Sequence, residues 1–137
     1  MKQLFLDTSF VVALHTSDDQ SHRAAVDSWR SVLSQRRRLM TTTFILDETA
    51  TLLNACGLHE LAVAAGTQLI KSPAVALVHV DVGLLERGWS YFCRHADKRY
   101  SLTDCISFVA MEERGLREAL TFDQHFAQAG FEALPAK

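Results

Sequence analysis

The sequence predicts an α/β domain in which a central, mostly parallel sheet is flanked by helices on both faces. Three observations carry that expectation. Short apolar runs rich in Leu, Val and Phe alternate with longer segments of helical periodicity along the whole chain, as repeated βα units require. Two prolines, six glycines and no low-complexity stretch or internal repeat leave no linker at which the 137 residues would divide, so residues 1–137 are expected to form one domain around one core. A hydrophobic fraction of 48% suits a folded globule rather than a disordered chain.

Gln3–Leu6 reads as the first strand, and Phe10-Val11-Val12-Ala13-Leu14 places a helical segment over Ser9–Leu14. Asp18–Leu33 is helical: Asp18 or Asp19 can cap it, and Ala25, Trp29 and Val32–Leu33 recur at helical spacing. Leu39–Thr42 is a second short strand. Phe44–Cys56 is a helix stopped by Gly57, and Leu58–Ile70 is another, ended by Ser72-Pro73. Val75–Val80 is a strand, after which Asp81 caps a helix with Leu85, Trp89 and Phe92 at i, i+4 and i+7. The polar loop Ala96–Ser101 leads to a helix near Leu102–Arg114, which Gly115 closes. Glu118–Phe122 is a strand, and Phe131–Leu134 is a last edge strand.

Fourteen Lys and Arg against sixteen Asp and Glu give a net charge of −2. That balance does not mark a dedicated nucleic-acid binder, although a local basic patch is enough for one. Cys56, Cys93 and Cys105 are odd in number and form no C-x-x-C pair, which predicts a reduced, cytoplasmic protein with buried thiols. The first strand starts almost at once, so no signal-peptide core is expected, and no apolar run approaches the roughly 20 residues of a membrane span.

In an open α/β sheet, sites form outside the carboxyl ends of the strands. Asp7 ends the first strand and Asp123 follows the last strong one, so both belong on the same rim. Taken singly, each also suits a turn or a helix cap. The helix Phe44–Cys56 is more discriminating. Ile45, Thr49, Leu52, Leu53 and Cys56 define its buried face, Asp47 projects nearly opposite beside Thr51 and Asn54, and Glu48 lies on the flank of the apolar stripe. A carboxylate there needs a salt bridge or a site to offset its desolvation. In "YSLTDCISFVAMEE", Asp104 shares a face with Phe108 and Met111, in the first helical turn. An acid in a first turn favours the helix dipole, and the helix end would in turn keep the carboxylate ionised. If Asp7, Glu48, Asp104 and Asp123 converge, their repulsion raises their pKa values unless a cation is bound. That many hard oxygen ligands suit Mg²⁺ or Mn²⁺ rather than zinc, and such a site suits attack of water on a phosphodiester.

Four stretches, "FLDTSFVVAL", "ILDETATLL", "SLTDCISFVAM" and "ALTFDQHF", together resemble the PIN-domain ribonucleases, most closely the VapC-type toxins of bacterial toxin–antitoxin pairs. The likeness covers essentially the whole chain, and it rests on the ordered set rather than on any one motif. The resemblance implies a PIN-like three-layer fold and an endoribonuclease dependent on Mg²⁺ or Mn²⁺. It puts the family's acids on Asp7, Glu48, Asp104 and Asp123, with Asp7 and Asp104 as metal ligands and Glu48 and Asp123 acting directly or through water. Ser9 and Thr121 would orient ligands, Thr8 would help through its backbone, and Phe126 is the aromatic that follows the last acid. It further implies cleavage leaving a 5′-phosphate and a 3′-hydroxyl, an RNA substrate, a cognate antitoxin over the acidic groove, and a homodimer.

The remaining polar residues carry plainer expectations. Of the six histidines only His125 falls near the acids; surface placement is expected for it, and no histidine is assigned a catalytic role. Cys105 has no activating base and reads as a small core residue; Trp29 and Trp89 read as core or interface. Arg36-Arg37-Arg38 reads as a solvated turn, whereas Lys98 and Arg99, in the loop before Asp104, could meet RNA phosphates. Two other functions share some of these features. A haloacid-dehalogenase-like phosphatase would use Asp7 as nucleophile, but such folds carry a second aspartate where this chain has Ser9. A catalytically inactive PIN-like binding module would keep the fold without needing the complete acidic set.

Overall fold

The computed structural model describes residues 3–136. Its elements follow as β1 (Leu4–Leu6), α1 (Thr8–His15), α2 (His22–Ser34), β2 (Leu39–Thr42), α3 (Thr43–Ala55), α4 (His59–Lys71), β3 (Val75–Val78), α5 (Val82–Arg94), α6 (Leu102–Glu113), β4 (Glu118–Leu120), α7 (Gln124–Gln128) and β5 (Glu132–Leu134). The strands form one sheet in the order β3-β2-β1-β4-β5, and every pairing among the described residues is parallel. The sheet is therefore wholly rather than mostly parallel, because β5 returns to β4 through α7 instead of a hairpin.

Strand alternation assigns side chains to two cores. Leu4 and Leu6 pack with Phe10, Val11, Leu53, Ala65 and Leu69 on one face. Phe5, pointing the other way, packs with Met40, Ile106, Phe108 and Phe126. Each such side chain, once fully buried, contributes about 1.5–3 kcal/mol. Helix α6 is buried continuously from Asp104 to Met111, because it is enclosed between the sheet and α5. The approach of α5 is close at Gly88: a Cβ there would collide with the Ile106 side chain and come within 3.2 Å of its Cα.

The strand order also fixes where a site can form. The chain builds from β1 outward to β2 and β3, then crosses back to β4 and β5. The reversal falls between β1 and β4, and their carboxyl ends open the crevice expected at such a switch point. The Asp7 amide donates to the Leu120 carbonyl at 3.1 Å, tying the two strand ends together.

Several local expectations change. The second helix starts at His22 rather than Asp18, because Asp19 accepts from the Ser21 amide at 2.8 Å and holds a turn instead of a cap. Strand β3 stops at Val78, and the Val80 amide beyond it donates to the Thr43 hydroxyl at 3.0 Å. Strand β4 stops at Leu120, and the Phe122 amide donates to Ser9 Oγ at 2.9 Å. On α5 the buried residues are Leu84 and Gly88; the stripe Leu85, Trp89 and Phe92 is exposed, since the helix meets α6 through its glycine side. Leu52 is likewise exposed on α3, as are the thiols of Cys56 and Cys93; only Cys105 is buried. No helix among the described residues is long and apolar enough to cross a membrane.

Candidate metal centre

Asp7 leaves β1 with extended backbone and caps α1. Its Oδ2 accepts from the Ser9 amide at 3.3 Å, Ser9 Oγ at 2.7 Å and Thr121 Oγ1 at 2.7 Å. The residue is 3% exposed. Burial pushes its pKa up to about 6; the Ser9 and Thr121 hydroxyls pull it back, and the charges of Asp104 and Asp123 push it further. The two hydroxyls are themselves fixed. Ser9 Oγ lies 3.2 Å from Thr121 Oγ1, and Thr121 Oγ1 accepts from the Asp123 amide at 2.9 Å. A single network thus holds the ends of β1 and β4 and orients two of the acids.

Glu48 lies half-buried on α3, whereas its neighbour Asp47 is exposed and takes a bond from Thr51 at 3.4 Å. Burial raises the Glu48 pKa first, against a hydrogen bond from the Thr8 side chain, and Asp104, Asp123 and Asp47 add repulsion. Thr8 is buried, with its hydroxyl 3.4 Å from that of Thr49. The contact with Glu48 is thus made by the Thr8 side chain, where a backbone contribution was expected.

Asp104 belongs to a capping box at the start of α6. It accepts from the Ser101 amide at 3.0 Å, and its own amide donates to Ser101 Oγ at 3.0 Å. Its place in the first turn of α6 is as expected. Burial raises its pKa, outweighing the Ser101 bond, and Asp123 repulsion adds to the rise while His125 opposes it.

Asp123 caps α7, accepting from the His125 amide at 2.9 Å through Oδ1. That helix is held down by Phe126, fully buried against Phe108 and Phe5. It also brings into the site a residue expected on the surface. His125 has a side chain only 20% exposed, with Nδ1 3.1 Å from Asp104 Oδ2 and 3.2 Å from Asp123 Oδ1. The signal was its spacing: two residues past a capping aspartate is the first turn of a helix, where the side chain can fold back over the cap.

Donor atoms of Asp104, Asp123 and His125 lie within 4.8 Å of one another. Asp7 and Glu48 stand outside that triple but close enough to repel both aspartates. Carboxylate oxygens gathered so closely form a donor set that fits a hard divalent cation. Lys98 and Arg99 are exposed in the turn that precedes Ser101, and Lys98 sits 3.9 Å from Asp97.

A parallel sheet with carboxylates gathered at its switch point is the architecture of an acidic-site α/β nuclease. The profile of the PIN domain matches residues 4–132, and the chain belongs to the PIN-domain family. Within it the chain is a nuclease of the VapC type. It is 40% identical over 129 residues to the 23S rRNA-specific endonuclease VapC20 of Mycobacterium tuberculosis, in strains CDC 1551 / Oshkosh and H37Rv alike, covering 93% of this chain and 95% of the relative. The crystal structure of M. tuberculosis VapC20, described as a Sarcin-Ricin loop cleaving toxin, matches with a TM-score of 0.86 at 37% identity, over 94% of this chain and 96% of that one. FitAcB from Neisseria gonorrhoeae matches with a TM-score of 0.63 at 16% identity, over 96% of each chain, a likeness of fold alone.

Proposed function

We propose that this chain, as a single nuclease domain over residues 1–137, is a divalent-metal-dependent endoribonuclease and the toxin of a toxin–antitoxin pair. The observation that carries the reading is the gathering of acids from four separate segments at the switch point between β1 and β4. Asp7 and Asp104 hold the ion, Mg²⁺ or Mn²⁺, and Glu48 and Asp123 complete the set directly or through water. When bound, such an ion supplies Lewis acidity at the phosphate and a water activated for attack. The protein's own part is positional. Ser9 and Thr121 fix Asp7 Oδ2, Thr8 steadies Glu48, and Ser101 fixes Asp104. With its pKa near 6, Asp7 is mostly ionised at neutral pH and available as a ligand.

Hydrolysis leaves a 5′-phosphate and a 3′-hydroxyl. The identity to the VapC20 endonucleases favours 23S rRNA as the substrate, with Lys98 and Arg99 meeting phosphates beside the acids. The same kinship supports a cytoplasmic homodimer whose acidic groove is covered by a cognate antitoxin. The test is cleavage of ribosomal RNA and of a panel of structured RNAs by purified protein, with end mapping, in Mg²⁺, in Mn²⁺ and in chelator. Metal-dependent cleavage at discrete sites is expected. Full activity in metal-free protein overturns the mechanism.

A further inference from the structure

His125 is the one histidine among the described residues whose ring nitrogen meets two carboxylates. Nδ1 of His15, His22 and His95 lies against the backbone carbonyls of Val11, Ala13 and Tyr91, and that of His59 against the Asn54 side chain. His125 Nδ1 instead stands 3.1 Å from Asp104 Oδ2 and 3.2 Å from Asp123 Oδ1. Neighbouring ligands on an octahedral ion the size of Mg²⁺ or Mn²⁺ are about 3 Å apart and opposite ones about 4 Å. Both His125 distances match neighbouring ligands, and the donors of all three residues lie within 4.8 Å of one another. The imidazole is also held in place. Its own backbone amide is tied to Asp123 at 2.9 Å, and its ring packs edge-on against Tyr100 at 5.4 Å.

We propose that His125 Nδ1 is a direct ligand of the resident ion beside Asp104 and Asp123, and that this nitrogen makes the site prefer Mn²⁺ over Mg²⁺. The inference rests on the divalent-metal reading above. Nδ1 binds through its lone pair, with the ring proton on Nε2. Mg²⁺ is a hard ion that favours oxygen and keeps its waters, so an imidazole adds little to its affinity. Imidazole donors favour first-row transition ions, whereas carboxylates suit Mg²⁺ and Mn²⁺; a set of carboxylates with a single nitrogen selects Mn²⁺ as the ion that accepts both.

Mn²⁺ titrated into metal-free protein, followed by electron paramagnetic resonance, measures occupancy, and pulsed measurements on the bound ion report ¹⁴N coupling. Wild type is expected to bind Mn²⁺ with a ¹⁴N signal that becomes ¹⁵N when histidine is ¹⁵N-labelled. In His125→Gln the signal is lost, and the Mn²⁺ affinity falls about 10- to 100-fold while the Mg²⁺ affinity changes far less. The labelling arm needs no variant, so it stands even if His125→Gln folds poorly. Tight Mn²⁺ binding with no nitrogen coupling overturns the ligand assignment and leaves the metal reading intact. An unchanged Mn²⁺/Mg²⁺ affinity ratio in folded His125→Gln overturns the selectivity. Failure of the wild type to bind either ion overturns both readings.

Discussion

At Asp7, burial and hydrogen bonding act in opposite directions, and burial prevails, moving the pKa from 3.8 to about 6. An acid whose folded-state pKa is raised binds its proton more tightly when folded. Its contribution to metal-free stability is therefore full below about 4 and is lost as pH rises through about 6. Asp7→Asn keeps the shape and the Oδ acceptor while removing the charge. In metal-free protein it should raise the melting temperature at pH 7.5 by on the order of 5 °C, with the gain fading towards pH 4, and it should all but abolish cleavage. Thermal melts at several pH values check this; a variant less stable than wild type at pH 7.5 contradicts it. Glu48 and Asp47 give a second contrast at adjacent positions. Glu48→Gln should cut the cleavage rate by about two orders of magnitude, the scale on which one electrostatic group in a site is felt, while Asp47→Asn stays near wild type. Single-turnover rates with a fixed RNA decide it, and the reverse ranking would refute the proposed roles. This contrast was legible in the sequence because the phase of one long helix separates the two side chains. His125 was not, because its position depends on α7, a helix of five residues too short to show periodicity.

Among the elements, α6 carries Asp104, and its place is set largely by α5. Gly88 lets the two backbones approach where any side chain would meet Ile106. Gly88→Ala should therefore destabilise the protein by about 1–3 kcal/mol despite the better helix propensity of alanine, because overpacking against a backbone is relieved only by moving a helix. Urea unfolding of both proteins measures it, and a variant as stable as wild type would show that α5 shifts freely. The larger residues Leu85, Trp89 and Phe92 mark the wrong face of α5 in the sequence, because the helix is buried on the side of a glycine. Strand ends were misjudged for a related reason. Phe122 and Val80 are as apolar as strand residues, but their amides are captured by the Ser9 and Thr43 hydroxyls, and no propensity at the apolar position records that.

For the molecule as a whole, the alternation of elements was enough to anticipate the sheet and its covering layers, but not the strand order. The reversal between β1 and β4 is a property of the crossovers, and it is what makes Asp7 and Asp123 neighbours. Because the acids repel one another in the metal-free fold, cation binding should stabilise the entire domain. Mn²⁺ or Mg²⁺ at about 100 times Kd should add about 2.7 kcal/mol, read as a rise in melting temperature that a chelator reverses. A melting curve indifferent to both ions is the result that counts against it. The Ser9–Thr121–Asp7 network has a temporal side. Asp7 ends the first strand, yet Thr121, which holds it, lies 114 positions later. Asp123 and His125 are later still, and the loop that must close spans every element from α1 to α6. A nascent chain that has not yet made β4 lacks the hydroxyl that orients Asp7, one acid and the imidazole. The site is therefore assembled only once β4 has formed and paired with β1.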